Sequence, residues 1–139
     1  MDAVWPIAHV VARILFGAFF IMSGVNHFTR TKQMAEYAKA VGNVPAAPVA
    51  VMGTGLLLLL GGLSILLGYH PRIGAALLVV FLIPTAFLMH PYWKVADPMQ
   101  KAGETAQFWK NITLAGAALF IMADPNWPWP AALGNVFPM

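Results

Sequence analysis

The stretch "LLLLLGGLSILLGYHPRIGAALLVVFLIP", Leu56–Pro84, places two apolar segments on either side of a short turn. The turn reads "GYHPR", and its Gly68 and Pro71 are residue types that end helices. A helix crosses the hydrocarbon core of a bilayer with roughly 20 mostly apolar residues. The stretch therefore predicts two transmembrane helices joined by a tight connection.

The composition of the whole chain is that of a membrane protein. Of its 139 residues, 60% are hydrophobic and 9% are charged, whereas a soluble domain carries about a quarter charged residues. The net charge is only +3, and the basic residues are dispersed among apolar runs, which does not indicate nucleic-acid binding. Because the chain has no cysteine, disulfides, thiolate metal sites and iron–sulfur clusters within it are excluded.

The apolar segments predict an all-α fold in a single membrane domain over residues 1–139. Four of them are long enough to span a bilayer, and they cover about residues 7–28, 47–68, 73–90 and 106–123. In the first loop, apolar residues recur at helical spacing between charged ones, which predicts a short amphipathic helix in the interface over about residues 31–42. The expected architecture is an integral membrane four-helix transmembrane bundle with this interfacial helix.

The distribution of positive charge predicts how the bundle is oriented. Lysine and arginine concentrate in the first and third loops and their flanks, at Arg30, Lys32, Lys39, Lys94, Lys101 and Lys110. The positive-inside rule then places these two loops in the cytoplasm and both termini outside.

One stripe on the first helix, with glycines in its middle and an ionisable residue at each end, is expected to face the bundle. Arg13, Gly17, Phe20, Gly24 and His27 follow one another at steps of four and three residues, which is one face of a helix. A charge within the bilayer is costly, and no acidic residue lies in the spans to pair with it. We therefore expect Arg13 to be a structural intramembrane charge that is held by carbonyls or hydroxyls.

The loop side of the bundle is predicted to hold a ligand pocket. The first and third helices end there and the fourth begins there, so His27, His90, Trp93, Lys110 and Asn111 are expected around one cavity, with the interfacial helix as its roof. Such a layer offers what a quinone needs, an apolar cleft and a few hydrogen-bonding groups. The alternative is that these residues only cap helices and bind water, and that Lys110 extends to the lipid headgroups.

Other ligands fit the same residues less well. A haem would need two facing axial ligands, and His27 and His90 both lie at helix ends near polar loops. No metal site is predicted, because no carboxylate accompanies the two histidines within the apolar spans. No catalytic residue is assigned.

Three segments, taken in order, resemble the DoxX family of small bacterial membrane proteins. They are "ARILFGAFFIMSGVNHF" (Ala12–Phe28), "LLGGLSILLGYHPRIGA" (Leu59–Ala75), and "FLMHPYWKVAD" followed by "QFWKNITLAGAALFIMA". The resemblance implies a four-helix bundle in the bacterial inner membrane. It also implies a link to quinone-coupled oxidoreductases, since the family is named with a subunit of a thiosulfate:quinone oxidoreductase. Many relatives carry a glutamate shortly before the double glycine of the second helix, whereas this chain has only leucine from Leu56 to Leu60.

Three functions follow from these features. The first is a quinone- or oxidoreductase-associated subunit of a membrane redox complex, such as a respiratory one. The second is a purely structural accessory subunit. The third is a small-solute carrier, which is less favoured because transport pathways usually contain charged residues within the spans and this chain has only Arg13 there.

The expected partners are the lipid bilayer and either other membrane subunits or a second copy of the chain. We expect no covalently bound cofactor, with quinone as the candidate ligand. Whether the chain is itself an enzyme is left open.

Overall fold

Five α-helices make up most of the chain that the structure describes, which is residues 4–123 and 129–135 of a computed structural model. In chain order they are α1 (Val4–Thr29), α2 (Thr31–Gly42), α3 (Ala47–Leu67), α4 (Pro71–Met89) and α5 (Pro98–Ala123). Short 3₁₀ helices follow α4 at Tyr92–Lys94 and α5 at Leu133–Asn135.

The protein is an all-α helical membrane bundle with α3 at its centre. Helix α3 packs against both α1 and α4, and α4 also packs against α5. Fully buried side chains between these helices form the core, namely Phe20, Leu58, Ile65, Leu78 and Leu82. Large apolar side chains on the outward faces are exposed in the isolated chain, as expected for a surface that lipid covers.

Within residues 4–123 and 129–135, three segments are long and apolar enough to cross a membrane: Val4–Thr29, Ala47–Leu67 and Pro71–Lys94. Helix α5 differs because its first half carries Lys101, Glu104 and Lys110. The crossing of the membrane by residues 106–123 stays a prediction, and so does the orientation of the termini.

Glycines bring α3 very close to its two neighbours. A Cβ atom added at Gly17 of α1 would lie 2.9 Å from the carbonyl oxygen of Gly62 in α3. A Cβ added at Gly61, on the other side of α3, would lie 2.9 Å from the carbonyl oxygen of Gly74 in α4. Small residues at such positions let helix backbones approach in lipid, where packing contacts replace the hydrophobic effect.

Helix α5 begins at Pro98, about two turns before the apolar segment predicted at residue 106. The Oδ1 atom of Asp97 accepts a hydrogen bond of 2.8 Å from the backbone N–H of Gln100, and Pro98 occupies the first helical position. An aspartate cap followed by proline is a common helix start. The prediction missed these turns because hydropathy detects only the apolar part of a helix.

Helix α2 covers residues 31–42, the range in which the amphipathic helix was predicted. Its Ala35 and Ala38 are buried against Ala47 and Val51 of α3. The hydroxyl of Tyr37 donates a hydrogen bond of 3.2 Å to the carbonyl of Met89, at the end of α4. Helix α2 is thereby fastened across the ends of α3 and α4, while its position in the lipid interface stays a prediction.

At the opposite end of the bundle, the C-terminal segment packs over Arg13. The Arg13 side chain is buried, and its Nη2 atom donates a hydrogen bond of 2.8 Å to the carbonyl of Leu66 in α3. Its Nη1 atom donates a hydrogen bond to the carbonyl of Pro130. The guanidinium carbon lies 5.5 Å from the centre of the Trp129 ring. Carbonyl groups and an aromatic face therefore hold this charge.

Candidate functional site

A cavity of about 710 Å³ lies beneath α2, at the end of the bundle where α1 and α4 finish. All five helices contribute to its lining, which is mostly apolar and includes Phe19, Phe20, Val51, Phe81, Leu82 and Leu88. The polar residues in its wall include Asn26, His27, Arg30, Gln33, His90, Lys110 and Asn111. A mostly apolar cavity of this size with a few polar groups is typical of sites for small molecules.

His27 is a buried histidine, and one of its ring nitrogens is hydrogen-bonded to the backbone. Its Nδ1 atom lies 2.8 Å from the backbone carbonyl oxygen of Ser23, one turn earlier in α1. The ring packs edge-on against Phe81 of α4, with ring centres 5.7 Å apart. The helix backbone and a neighbouring helix thus fix the orientation of this imidazole.

His90 is held by a carboxylate that the sequence analysis did not assign to the site. Its Nδ1 atom lies 2.8 Å from Oε2 of Glu104 in α5, and the two side chains are partly buried, with 17% and 21% of their surfaces exposed. The hydroxyl of Tyr37 in α2 lies 3.3 Å from Oε1 of the same carboxylate, so its one hydrogen is shared between this oxygen and the carbonyl of Met89. Burial raises the pKa of the Tyr37 phenol, and the negative charge of Glu104 raises it further.

Lys110 and Asn111 reach the same cavity from α5. The Lys110 ammonium donates a hydrogen bond to Oε1 of Gln107, one turn earlier, and lies 5.9 Å from the centre of the Phe19 ring. Asn111 is buried, with 5% of its surface exposed. The structure therefore brings four of the five predicted residues, His27, His90, Lys110 and Asn111, to one cavity.

Trp93, the fifth residue predicted for the site, lies outside the cavity. Its ring belongs to an aromatic cluster beside the cavity, with centres 6.3 Å from Phe87, 5.2 Å from Tyr92 and 5.8 Å from Phe108. It is half exposed and does not line the cavity. The aromatic wall comes instead from Phe19, Phe20 and Phe81.

Glu104 and Tyr37, which form the hydrogen-bonded group beside His90, are among the residues that the sequence did not assign to the site. A signal for Glu104 was present, because Glu104, Phe108 and Asn111 are spaced four and three residues apart, which places them on one helix face. That spacing becomes visible only once α5 is extended back to Pro98. Tyr37 was recognised as part of an amphipathic helix, but nothing local indicated that it would contact α5.

Comparison with known proteins identifies the family. The model of the DoxX family matches residues 8–91, which is more than half of the chain. The chain belongs to the DoxX family. The match runs from α1 to the end of α4 and includes His27 and His90, whereas α5, with Lys110 and Asn111, lies beyond it.

Two curated relatives of this DoxX chain come from Escherichia coli (strain K12). The inner membrane protein YphA is 26% identical over 84% of this chain and 81% of its own length. The inner membrane protein YqjF is 32% identical over 81% of this chain and 79% of its own length. No solved structure matches the chain. Together with the apolar helices, these relationships identify a multi-pass inner membrane protein.

Proposed function

We propose that this DoxX-family protein is a quinone-binding subunit of a membrane redox complex, and that the cavity beneath α2 is the quinone site. The observation that carries the proposal is that His27 and His90, from different helices, line the same mostly apolar cavity.

The residues of the cavity suit a quinone head group and the start of its tail. Phe19, Phe20 and Phe81 offer aromatic surface for a flat ring. Lys110 and Asn111 offer N–H groups to carbonyl oxygens, and each hydrogen bond contributes on the order of 1 kcal/mol net. Such bonds orient a ligand whose affinity comes mainly from its apolar parts.

A role as a subunit fits the chain better than independent catalysis. The chain contains no cysteine for iron–sulfur or thiol redox chemistry. Its connections between helices are short, which leaves no room for a soluble cofactor domain. Electrons exchanged with a bound quinone must therefore come from or go to a partner, and another membrane subunit is the proposed source.

Quinone binding to the purified protein in lipid nanodiscs tests the proposal. We expect saturable binding of a short-chain benzoquinone, and a loss of affinity of roughly fivefold in Asn111→Leu, which removes one hydrogen-bonding group at similar volume. His9→Phe, in α1 far from the cavity, is the control and should bind as the unmodified protein does.

Purification in mild detergent separates the candidate functions. Copurification of both quinone and other membrane proteins is the expected result. Partner proteins without any quinone binding would indicate a purely structural accessory subunit and would overturn the quinone site.

A further inference from the structure

The two histidines of the cavity each use Nδ1 for a hydrogen bond to an acceptor. His27 Nδ1 faces the carbonyl oxygen of Ser23, and His90 Nδ1 faces a carboxylate oxygen of Glu104, each at 2.8 Å. A carbonyl or carboxylate oxygen only accepts hydrogen bonds, so each Nδ1 must carry the hydrogen. In a neutral imidazole the other nitrogen, Nε2, is then a hydrogen-bond acceptor.

Both Nε2 atoms are accessible and have no hydrogen-bond partner among the described residues. In the part of the chain that the structure describes, Arg13 Nε is the one buried side-chain nitrogen or oxygen atom that has no hydrogen-bond partner. Neither His27 Nε2 nor His90 Nε2 takes part in a described hydrogen bond, so neither atom is enclosed by protein. Both residues line the cavity, so a ligand held there is the group that these accessible nitrogens can bond.

We infer that the cavity binds the hydroquinone in preference to the quinone, with hydroxyl groups donating hydrogen bonds to Nε2 of His27 and His90. This inference rests on the proposed function and specifies the redox form of its ligand. A quinone carbonyl has no hydrogen to donate and would meet two nitrogen lone pairs. A hydroquinone offers two O–H donors, which match two acceptors.

The other polar groups of the cavity do not impose the opposite preference. The Arg30 guanidinium and the Lys110 ammonium, which also line the cavity, carry only N–H donors, and an oxygen atom of either redox form can accept from them. The amide of Asn111 can turn to present either its oxygen or its NH₂ group. The Nε2 acceptors of the two histidines therefore distinguish the redox forms, because a hydroquinone hydroxyl can donate to them and a quinone carbonyl cannot.

Glu104 is a positioning residue in this arrangement. It lies behind His90 and does not line the cavity, so it acts through the imidazole. A carboxylate can only accept from Nδ1 and so selects the tautomer with a free Nε2, as partners of this kind do for histidines at metal sites. The backbone carbonyl of Ser23 does the same for His27, and no side-chain substitution removes it.

Comparing the two redox forms of one ligand tests the inference. A short-chain benzoquinone and its hydroquinone are titrated under anaerobic conditions into the full chain in nanodiscs. We expect the hydroquinone to bind about fivefold more tightly or better, the equivalent of one additional hydrogen bond. In His27→Phe, which keeps a ring against Phe81, hydroquinone affinity should fall by about that factor while quinone affinity stays unchanged. The control His9→Phe should change neither.

Nitrogen-15 NMR of labelled histidines supplies a readout that needs no ligand. The expected spectrum shows Nδ1 protonated and Nε2 unprotonated in both His27 and His90. In Glu104→Gln the His90 signals should move toward a mixture of tautomers and the His27 signals should stay, in a sample that remains monodisperse by size exclusion.

The outcomes distinguish the two proposals. Quinone binding that is equal to or tighter than hydroquinone binding overturns this inference and leaves the quinone site in place. A hydrogen on Nε2 of His27, or a doubly protonated His90, also overturns it. Binding of neither redox form overturns the proposed function and this inference together.

Discussion

His90 Nδ1 lies 2.8 Å from Oε2 of Glu104, and this pair joins the end of α4 to the first half of α5. The other oxygen of the same carboxylate accepts the hydroxyl of Tyr37 from α2. Three helices therefore meet at one carboxylate beside the cavity, and the pair both closes this end of the bundle and orients a cavity histidine.

Removing the Glu104 carboxylate should loosen this end of the bundle. We expect Glu104→Ala to lower the free energy of unfolding by about 1 kcal/mol, because the hydrogen bonds from His90 and Tyr37 are lost and the group is only partly shielded from solvent. The thermal midpoint in detergent measures this. Glu36→Ala, on the exposed face of α2, is the matched control. Equal midpoints for the two variants would contradict a structural role of the pair.

The raised pKa of Tyr37 predicts that part of the free energy of unfolding is lost at alkaline pH. The folded state favours the protonated phenol, so this component is fully present below the usual tyrosine pKa of about 10 and is lost as pH rises through the raised folded pKa. We therefore expect the difference in thermal midpoint between the protein and Tyr37→Phe to shrink above about pH 10. A difference that stays constant through this range would contradict the prediction.

The glycine contact between α1 and α3 should not tolerate a methyl group. A Cβ at Gly62 would lie 2.9 Å from the carbonyl oxygen of Gly17 and 3.0 Å from the backbone nitrogen of Ile21. We expect Gly62→Ala to cost about 1–3 kcal/mol, since backbone cannot move aside without separating the helices. Gly116→Ala in α5 meets nothing within 4 Å and should be neutral or slightly stabilising through helix propensity. Denaturation of both variants in the same detergent compares them, and similar losses would contradict the packing argument.

The contacts of Arg13 with Trp129 and Pro130 should hold residues 129–135 against the bundle. In Arg13→Leu the hydrogen bonds to Leu66 and Pro130 are lost, but so is the cost of burying a charge, and we expect a net loss of only about 1–2 kcal/mol. Limited proteolysis should show faster cleavage within residues 129–135. Arg72→Leu, an exposed arginine that also bonds a backbone carbonyl, serves as the control. Unchanged cleavage in Arg13→Leu would contradict this role of Arg13.

The orientation of the bundle can be tested directly because the chain has no native cysteine. We expect a cysteine at Leu133 to react with an impermeant thiol reagent in intact cells, and one at Ala102 to react only after the membrane is broken. The reason is the excess of lysine and arginine near the first and third loops. Reversed labelling would show that the predicted orientation is wrong, and it would not contradict the positions of the helices in the sequence.

The helices and the depth of the histidines could be derived from the sequence because both depend on local pattern. Runs of apolar residues, the turn at Gly68 and Pro71 and the spacing within α2 are properties of neighbouring residues. Since consecutive helices cross back and forth, the same patterns already placed His27 and His90 at one end of the bundle, with Lys110 and Asn111 near them.

The contacts between distant residues were decided by the tertiary structure. The rotation of α5 about its axis brings Glu104 to His90. The same rotation places Phe108 where Trp93 packs against it. The return of Trp129 and Pro130 to Arg13 likewise depends on a connection of more than 100 residues. Hydropathy constrains the depth of a side chain in the bundle, whereas its partners depend on the rotation of each helix about its axis, which only packing against the other helices fixes.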